Sequence, residues 1–371
     1  MASSAFVFNP VSIGHNFSFF LTHEGVWCCG SKTFGGLGMG VSCLNTLKKA
    51  VKVEFSQVIY SVCCGQGHTL FLNSEGKVWA CGWNAYGQLG ALPLSPPRYV
   101  PVEICDLPKI RSIHTSYNHT ILLDCEGEVW ICGGNNCGQV GDDRICLASY
   151  PFKKVRKDLP KIQAINAGES SSMFVDTEGG VWCVGTCKHL YKSTTVEKVK
   201  GLPPIQFVSH RDGHSLFLDY NGSVWACGSN FAGQLGVGNL LLPSKFSTEC
   251  VKVPSSETFV AISTGRAHSL FLTDSGQVFV CGSDANGQLG LGQGTRVNVP
   301  TPLVSLPPIA VICAGIQESI FVDREGVCWA CCSDSEAIPD VASAVPIRIE
   351  QLPPVIHEQT VTHVKSARNL L

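Results

Sequence analysis

The sequence predicts an all-β fold, a seven-bladed β-propeller of about 50-residue, four-stranded repeats, and three observations carry that expectation. First, one hairpin-like segment recurs: GQGHTLFLNSEGKVWACGWNAYGQLG begins at Gly65, RDGHSLFLDYNGSVWACGSNFAGQLG at Arg211 and GRAHSLFLTDSGQVFVCGSDANGQLG at Gly265. Second, alignment on its turn glycine gives seven copies with Trp27, Trp79, Trp130, Trp182, Trp225, Phe279 and Trp329 equivalent, spaced 52, 51, 52, 43, 54 and 50 residues apart. Third, every copy reads as short strands and turns. Closing seven such sheets into a ring removes the exposed edges that an open sheet would leave.

In the second copy, His68 to Leu72 is a β-rich run and NSEG (73–76) supplies hairpin-turn chemistry. Lys77 to Cys81 is the returning strand, and NAYGQLG (84–90) follows as a glycine-rich loop. A proline-bounded strand around Val100 to Ile104 leads through DLPKI to a fourth strand near Ile113. The same reading places hairpins near 14–30, 65–82, 116–133, 168–185, 211–228, 265–282 and 315–332. PVSIG (10–14) matches an innermost strand and VPIRIE (345–350) an outer one, so one blade is expected to be completed by both termini. The propeller then occupies residues 1–350, and 351–371 form a C-terminal tail outside the repeat count.

Composition narrows the function. The 371 residues are 44% apolar and 15% charged, enough for a large core. A net charge of −2 with no Lys/Arg-rich run disfavours nucleic-acid binding. MASSAFVFNPVSIGHNF lacks a secretory pattern, and no apolar run is long enough to span a bilayer. An intracellular protein is expected, cytoplasmic or nuclear, without membrane insertion and forming a monomeric ring.

Six of the 20 cysteines (Cys29, Cys81, Cys132, Cys227, Cys281 and Cys331) lie two residues after the aromatic position, one per copy. They read as small buried hydrophobes in a reducing compartment rather than disulfide partners. Cys328 and Cys331 form a Cys-x-x-Cys, but an odd separation in a strand sends the thiols to opposite faces, so no metal is expected. No phosphate loop, nucleophile elbow or zinc helix is present, and GQLGLG (287–292) opens no helix. The sequence therefore predicts no catalytic residue and no cofactor.

Gly-His-(Ser/Thr) near the inner strand, the (Asn/Asp)-x-x-Gly-Gln-(Leu/Val)-Gly loop and the Leu-Pro-Pro linker recur together over roughly residues 10–350. In these motifs the chain resembles the regulator of chromosome condensation repeat family. That resemblance implies a seven-bladed propeller and a function in binding proteins. Its founding member is a guanine-nucleotide exchange factor for the small GTPase Ran that also docks on chromatin; other members are interaction modules, ubiquitin-ligase parts or a plant photoreceptor. Here GGNNCGQVG (133–141) has ordinary length where the exchange factor carries its β-wedge, and no Lys or Arg precedes Lys32. The photoreceptor's tryptophans are replaced by Gly67, Asn118, Gly213 and Ala267.

The repeat histidine is present as His68, His119, His214 and His268 and replaced by Phe17, Ser171 and Glu318. Periodicity gives it an architectural reading: an imidazole tying an inner strand to a neighbouring backbone. The residues just before it are less constrained by packing and differ between copies: Gln66, Tyr117, Asn118, Glu169, Arg211, Asp212, Arg266 and Gln317. This mixture suits a protein partner. Glu169 and Asp212 match the acidic positions through which, by the resemblance, an exchange factor contacts its GTPase. The fourth copy loses GQLG and reads GTCKHLYKS (185–193), making Lys188, His189 and Tyr191 secondary candidates. The expected function is a protein-interaction propeller; the alternative is an exchange factor for a Ran-like or other small GTPase.

Overall fold

The computed structural model describes residues 9–40, 46–92, 95–155, 158–187, 191–211, 213–238, 246–292, 294–332 and 335–356. They form seven four-stranded antiparallel sheets, the blades of a β-propeller. Blade 2 is typical: Ile59–Cys64, His68–Asn73, Val78–Gly82 and Arg98–Glu103, hydrogen-bonded in that order from the inner strand to the outer. The chain divides into two compact units: 1–187, 191–199 and 336–338 form the first, 188–190, 200–335 and 339–371 the second. Blades 1 to 4 (11–52, 59–103, 110–154 and 162–198) lie in the first unit, and blades 5 to 7 (205–252, 259–303 and 309–348) in the second.

The hairpin register follows from the repeated glycine. His68 faces Gly82, His119 faces Gly133, His214 faces Gly228 and His268 faces Gly282. At Gly82 φ is +99°, and a Cβ there would overlap the Gly67 carbonyl oxygen, so only glycine fits.

Two expectations differ from the structure. The strand near Ile113, Ile110–Thr115, pairs with His119–Asp124 and is the inner strand of blade 3, not the fourth strand of blade 2. Each sheet thus starts one strand earlier than the sequence repeat, because the linker after the outer strand crosses to the next blade. Nor is a blade shared between the chain ends. Val11–Ile13 is the inner strand of a sheet completed by Leu47–Lys52, and Ser343–Arg348 is the outer strand of a sheet begun by Ile309–Ala314. After blade 7 the Val355 amide donates to the Gly326 carbonyl at 2.8 Å, as Ile110 does to Gly76 at 3.0 Å. Of the expected tail, 357–371 lies outside the described residues.

Within each unit the core lies between adjacent blades. In the first, Ile121, Leu123 and Ile131 of blade 3 meet Ile162, Phe174 and Val184 of blade 4; in the second, Leu270, Leu272 and Val280 of blade 6 meet Ile309, Ile312 and Phe321 of blade 7. Each such side chain contributes about 1.5–3 kcal/mol by leaving water. Inner strands are further joined by side chains accepting a neighbouring blade's amide: Ser12 from Cys64 (2.9 Å), His114 from Ala167 (3.0 Å), Ser209 from Thr264 (3.0 Å) and Ser263 from Ala314 (2.9 Å). Prolines blunt exposed outer strands at Pro101, Pro151, Pro300 and Pro346. Among the described residues no helix is long and apolar enough to cross a membrane.

Candidate protein-interaction face

Four blades carry the same buried strut. The Nε2 atoms of His68, His119, His214 and His268 lie 3.2, 3.0, 2.9 and 3.1 Å from the hydroxyls of Thr120, Ser172, Ser269 and Ser319 in the following blade. Those hydroxyls donate their single proton to the carbonyls of Gln88, Gln139, Gln234 and Gln288 at 2.7, 2.8, 2.7 and 2.7 Å. The hydroxyl can then only accept from the ring, which fixes the proton on Nε2. All four imidazoles are fully buried. Burial lowers the pKa of His68 to about 3; burial, then Arg211, lowers His268 to about 3.

The glutamine loop is itself braced. Asn84 and Gln88 side chains accept the amides of Leu89 and Tyr86, both at 2.9 Å, and Asp284 and Gln288 repeat the pattern on Leu289 (2.8 Å) and Asn286 (2.7 Å). Cys132, Cys281 and Cys331 donate to the same glutamine carbonyls from 3.5, 3.4 and 3.5 Å, which accounts for one cysteine per copy. Nineteen described cysteines are free, most of them buried, and burial raises the thiols of Cys81 and Cys281.

At the opposite end of the hairpin an aspartate explains the repeat tryptophan. One oxygen of Asp323 accepts the turn amides of Glu325 and Val327, both at 2.9 Å, and the other accepts the Trp329 indole at 3.0 Å. Asp124, Asp176 and Asp219 hold Trp130, Trp182 and Trp225 the same way, at 2.9, 2.8 and 3.2 Å. Blade 6, with Thr273 in place of the aspartate, has Phe279 in place of the tryptophan.

The strut and the braced loop fix the backbone that presents the candidate residues. In the first unit Gln66, Tyr117, Asn118 and Glu169 are half-buried. Structure brings two of them together: the Gln66 amide lies 3.1 Å from the Ser116 carbonyl and 3.4 Å from that of Tyr117, and the Tyr117 ring meets His15 edge-on with centroids 6.2 Å apart. Asn118 carries a buried side-chain oxygen with no hydrogen-bond partner. Tyr191 opens the outer strand Tyr191–Lys198 of blade 4, whereas Lys188 and His189 lie outside the described residues, as does Asp212.

In the second unit Arg266 is exposed and Gln317 half-buried. Arg211 reaches from blade 5 to blade 7, its guanidinium donating to the Ala314 carbonyl at 3.1 Å. Beside it, at the repeat-histidine position, Glu318 is buried and accepts the amides of Ile316 and Gln317 (both 3.2 Å) and the Ser335 hydroxyl (3.0 Å). Burial raises its pKa, and Arg211, the two amides and the hydroxyl oppose the rise. Sequence reasoning missed the hydroxyl–carbonyl half of the strut, the aspartate under four of the six repeat tryptophans (Asn73 and Thr22 stand in its place before Trp79 and Trp27) and this buried acid. The Ser or Thr after every repeat histidine was the available signal.

A repeated hydrogen-bonded skeleton carrying a non-repeating set of half-buried polar and aromatic side chains defines the class of this molecule as a seven-bladed β-propeller of sequence repeats. The chain carries regulator of chromosome condensation repeats: profiles described as "Regulator of chromosome condensation (RCC1) repeat" match residues 59–88, 110–139 and 259–288, and residues 75–123, 221–272 and 275–322. It is 26% identical over 334 residues to the ultraviolet-B receptor of Arabidopsis thaliana, covering 89% of this chain and 66% of the receptor. It is 28% identical over 297 residues to the secretion-regulating guanine nucleotide exchange factor of Bos taurus, covering 74% of this chain and 63% of that protein. The chain thus spans somewhat under two thirds of each relative's length. The fold matches that of the yeast regulator Prp20, solved bound to Kap60, with a TM-score of 0.81, 19% identity, and coverage of 99% of this chain and 94% of that one.

Proposed function

We propose that this propeller binds protein through the blade ends that carry Gln66, Tyr117, Asn118 and Glu169 in its first unit and, taken separately, those that carry Arg211, Arg266 and Gln317 in its second, with Asp212, outside the described residues, a candidate from the sequence. The observation that carries this reading is the contrast between a strut repeated in four blades and the changing residues directly before it. Architecture that only filled a core would not vary its presented chemistry while holding its backbone fixed. The partner is a protein, the chain acts as a monomeric ring inside the cell, in cytoplasm or nucleus, and the reading needs no cofactor.

Exchange activity on a small GTPase is the second reading, supported by the bovine relative's name. Release of a fluorescent GDP analogue from purified Ran- and Rho-type GTPases separates the two. The interaction reading expects no acceleration, and retention of a partner that Glu169→Ala, Asp212→Ala or Arg266→Ala weakens. Acceleration abolished by Glu169→Ala or Asp212→Ala establishes the exchange reading instead.

A further inference from the structure

On the first unit a groove runs between blades 1 and 2, away from the candidate residues above. Its first part, about 310 Å³, lies between loop 31–40 and the outer strand of blade 2 and is lined by Lys32, Phe34, Gly35, Gly38, Met39 and Tyr99. Its second part, about 330 Å³, shares Gly38 and Met39 with the first and continues past Lys52, Glu54, Phe55 and Val100. The loop is pinned to the strand by the Gly40 amide, which donates to the Tyr99 carbonyl at 2.8 Å. Glycines keep the floor open: a Cβ at Gly35 would meet the Tyr99 ring at 3.0 Å, and one at Gly38 the Pro101 ring at 3.1 Å.

The groove mouth is aromatic and strained. Phe34 is 47% exposed, and its φ of +63° is a conformation that bulky side chains avoid. Its ring stacks on Trp83 with centroids 5.1 Å apart, and Tyr86 meets Trp83 edge-on at 5.4 Å. Tyr99 and Val100 on the facing strand are also exposed.

Charge selects the occupant. Among the lining residues Glu54, at the far end of the second part, is the one acid, against Lys32 and Lys52, although the whole chain has a net charge of −2; the sequence has no Asp or Glu from 25 to 53 or from 76 to 102. Those stretches hold Lys32, Lys48, Lys49, Lys52, Lys77 and Arg98, of which Lys77 pairs with Glu103 at 3.7 Å. Lys52 stands exposed at the end of the outer strand Leu47–Lys52 of blade 1 and lines the second part of the groove, and Lys32 lines the first. We propose that this groove binds an extended acidic peptide segment of a partner protein, an apolar side chain seated between Phe34 and Tyr99 and carboxylates directed to Lys32 and Lys52. The mixed lining, polar around Lys32 and Thr33 in the first part and apolar around Met39, Phe55 and Val100 in the second, favours such a peptide over a nucleic acid, whose uniform charge needs a basic floor.

The test is selection of a random dodecapeptide display library on the intact chain, followed by affinity measurements on the selected peptides. The expected result is enrichment of sequences that combine Asp or Glu with one aromatic or leucine residue. Binding should weaken about tenfold or more with the double change Lys32→Glu and Lys52→Glu, or with Phe34→Ala, and on raising salt from about 50 to about 300 mM. Lys153→Glu, on blade 3, and Glu169→Ala should leave peptide affinity unchanged, which separates this groove from the face proposed above. Melting curves establish that the variants fold, and Phe34→Gly, which removes the strained side chain, gives a second probe of the same wall. No enrichment, enrichment of basic or uncharged peptides, full affinity after lysine reversal, or displacement by a single-stranded oligonucleotide overturns the proposal.

Discussion

Acid should loosen this propeller well before its carboxylates titrate. Burial lowers the pKa of His68 and His268 to about 3, against 6.5 in an unfolded chain. Below 6.5 the unfolded chain takes up protons that the folded chain refuses. The histidines' contribution is therefore fully present above 6.5 and is lost as pH falls from 6.5 towards 3. At about pH 5 the loss spans 1.5 pH units at about 1.4 kcal/mol each, or about 2 kcal/mol per histidine and about 4 kcal/mol for the pair. That figure depends on the unfolded pKa alone so long as the folded value stays well below 5, so it is insensitive to the depth of the shift. The assay is urea denaturation, followed by tryptophan fluorescence, at about pH 7.5, 6 and 5, on the parent chain and on His68→Gln with His268→Gln. The parent's midpoint should fall steeply across this range. The double variant should start lower and fall less. Equal pH dependence in the two proteins would refute the account of these rings as neutral, buried donors.

Three further outcomes follow from the same contacts. Ser269→Ala removes the acceptor of the His214 ring proton and leaves the Gln234 carbonyl only the weak Cys281 thiol donor, and thermal or urea melts should show a loss of about 2–3 kcal/mol, against almost none for Ser255→Ala on the exposed surface. Asp323→Ala leaves two turn amides and the Trp329 indole without acceptors and should cost about 2–4 kcal/mol by the same melts, whereas Trp329→Phe, which removes the indole donor together with some packing, should cost less. Arg211→Ala removes both the Ala314 contact and the positive charge that offsets the buried Glu318 carboxylate. A carboxyl with a raised folded pKa is best tolerated protonated, so the destabilisation by Arg211→Ala should be greatest near neutral pH and shrink as pH falls; a pH-independent penalty would mean that Glu318 is not charged beside it.

The repeat, the hairpins and the histidine positions were legible because they recur at fixed spacing. Blade phase was not. A periodic sequence has no origin, and only the pairing of Ile110–Thr115 with His119–Asp124 decides that the inner strand comes first. The strut was half legible for a similar reason: Gly-His-Thr is a visible motif, but Thr120 stands 52 residues from His68 and belongs to the next copy. Arg211 looked like a surface side chain from its place before a repeat histidine, and its reach to a carbonyl 103 residues away has no local signature. Phe34 was invisible as a candidate, since nothing in SKTFGGLG announces a positive φ at the phenylalanine rather than at the glycines.

The position of the groove follows from where the repeat breaks its own rule. Blade 1 has Phe17 in place of the repeat histidine, and the ring fills the space against Gly14 and Gly36, where added Cβ atoms would lie 2.9 and 3.0 Å from it. Its loop also has Gly36 in place of the repeat glutamine, and the Gly36 carbonyl still accepts the Thr69 hydroxyl at 2.7 Å and the Cys81 thiol at 3.4 Å. The backbone contact to blade 2 is thus kept without the two side chains that brace the loops of blades 2 and 6 from within, Lys32 and Gly36 standing where blade 2 has Asn84 and Gln88. Released from those braces, loop 31–40 turns Phe34 outward onto Trp83 and opens the space that Tyr99 faces. Restoring the repeat with Gly36→Gln should re-form the glutamine brace and close the groove, which selected peptides would report as lost binding with unchanged or higher thermal stability. Loss of binding together with a large loss of stability would mean instead that the Phe17 ring cannot share its space with a glutamine, and that the loop's shape is set by packing rather than by the missing brace.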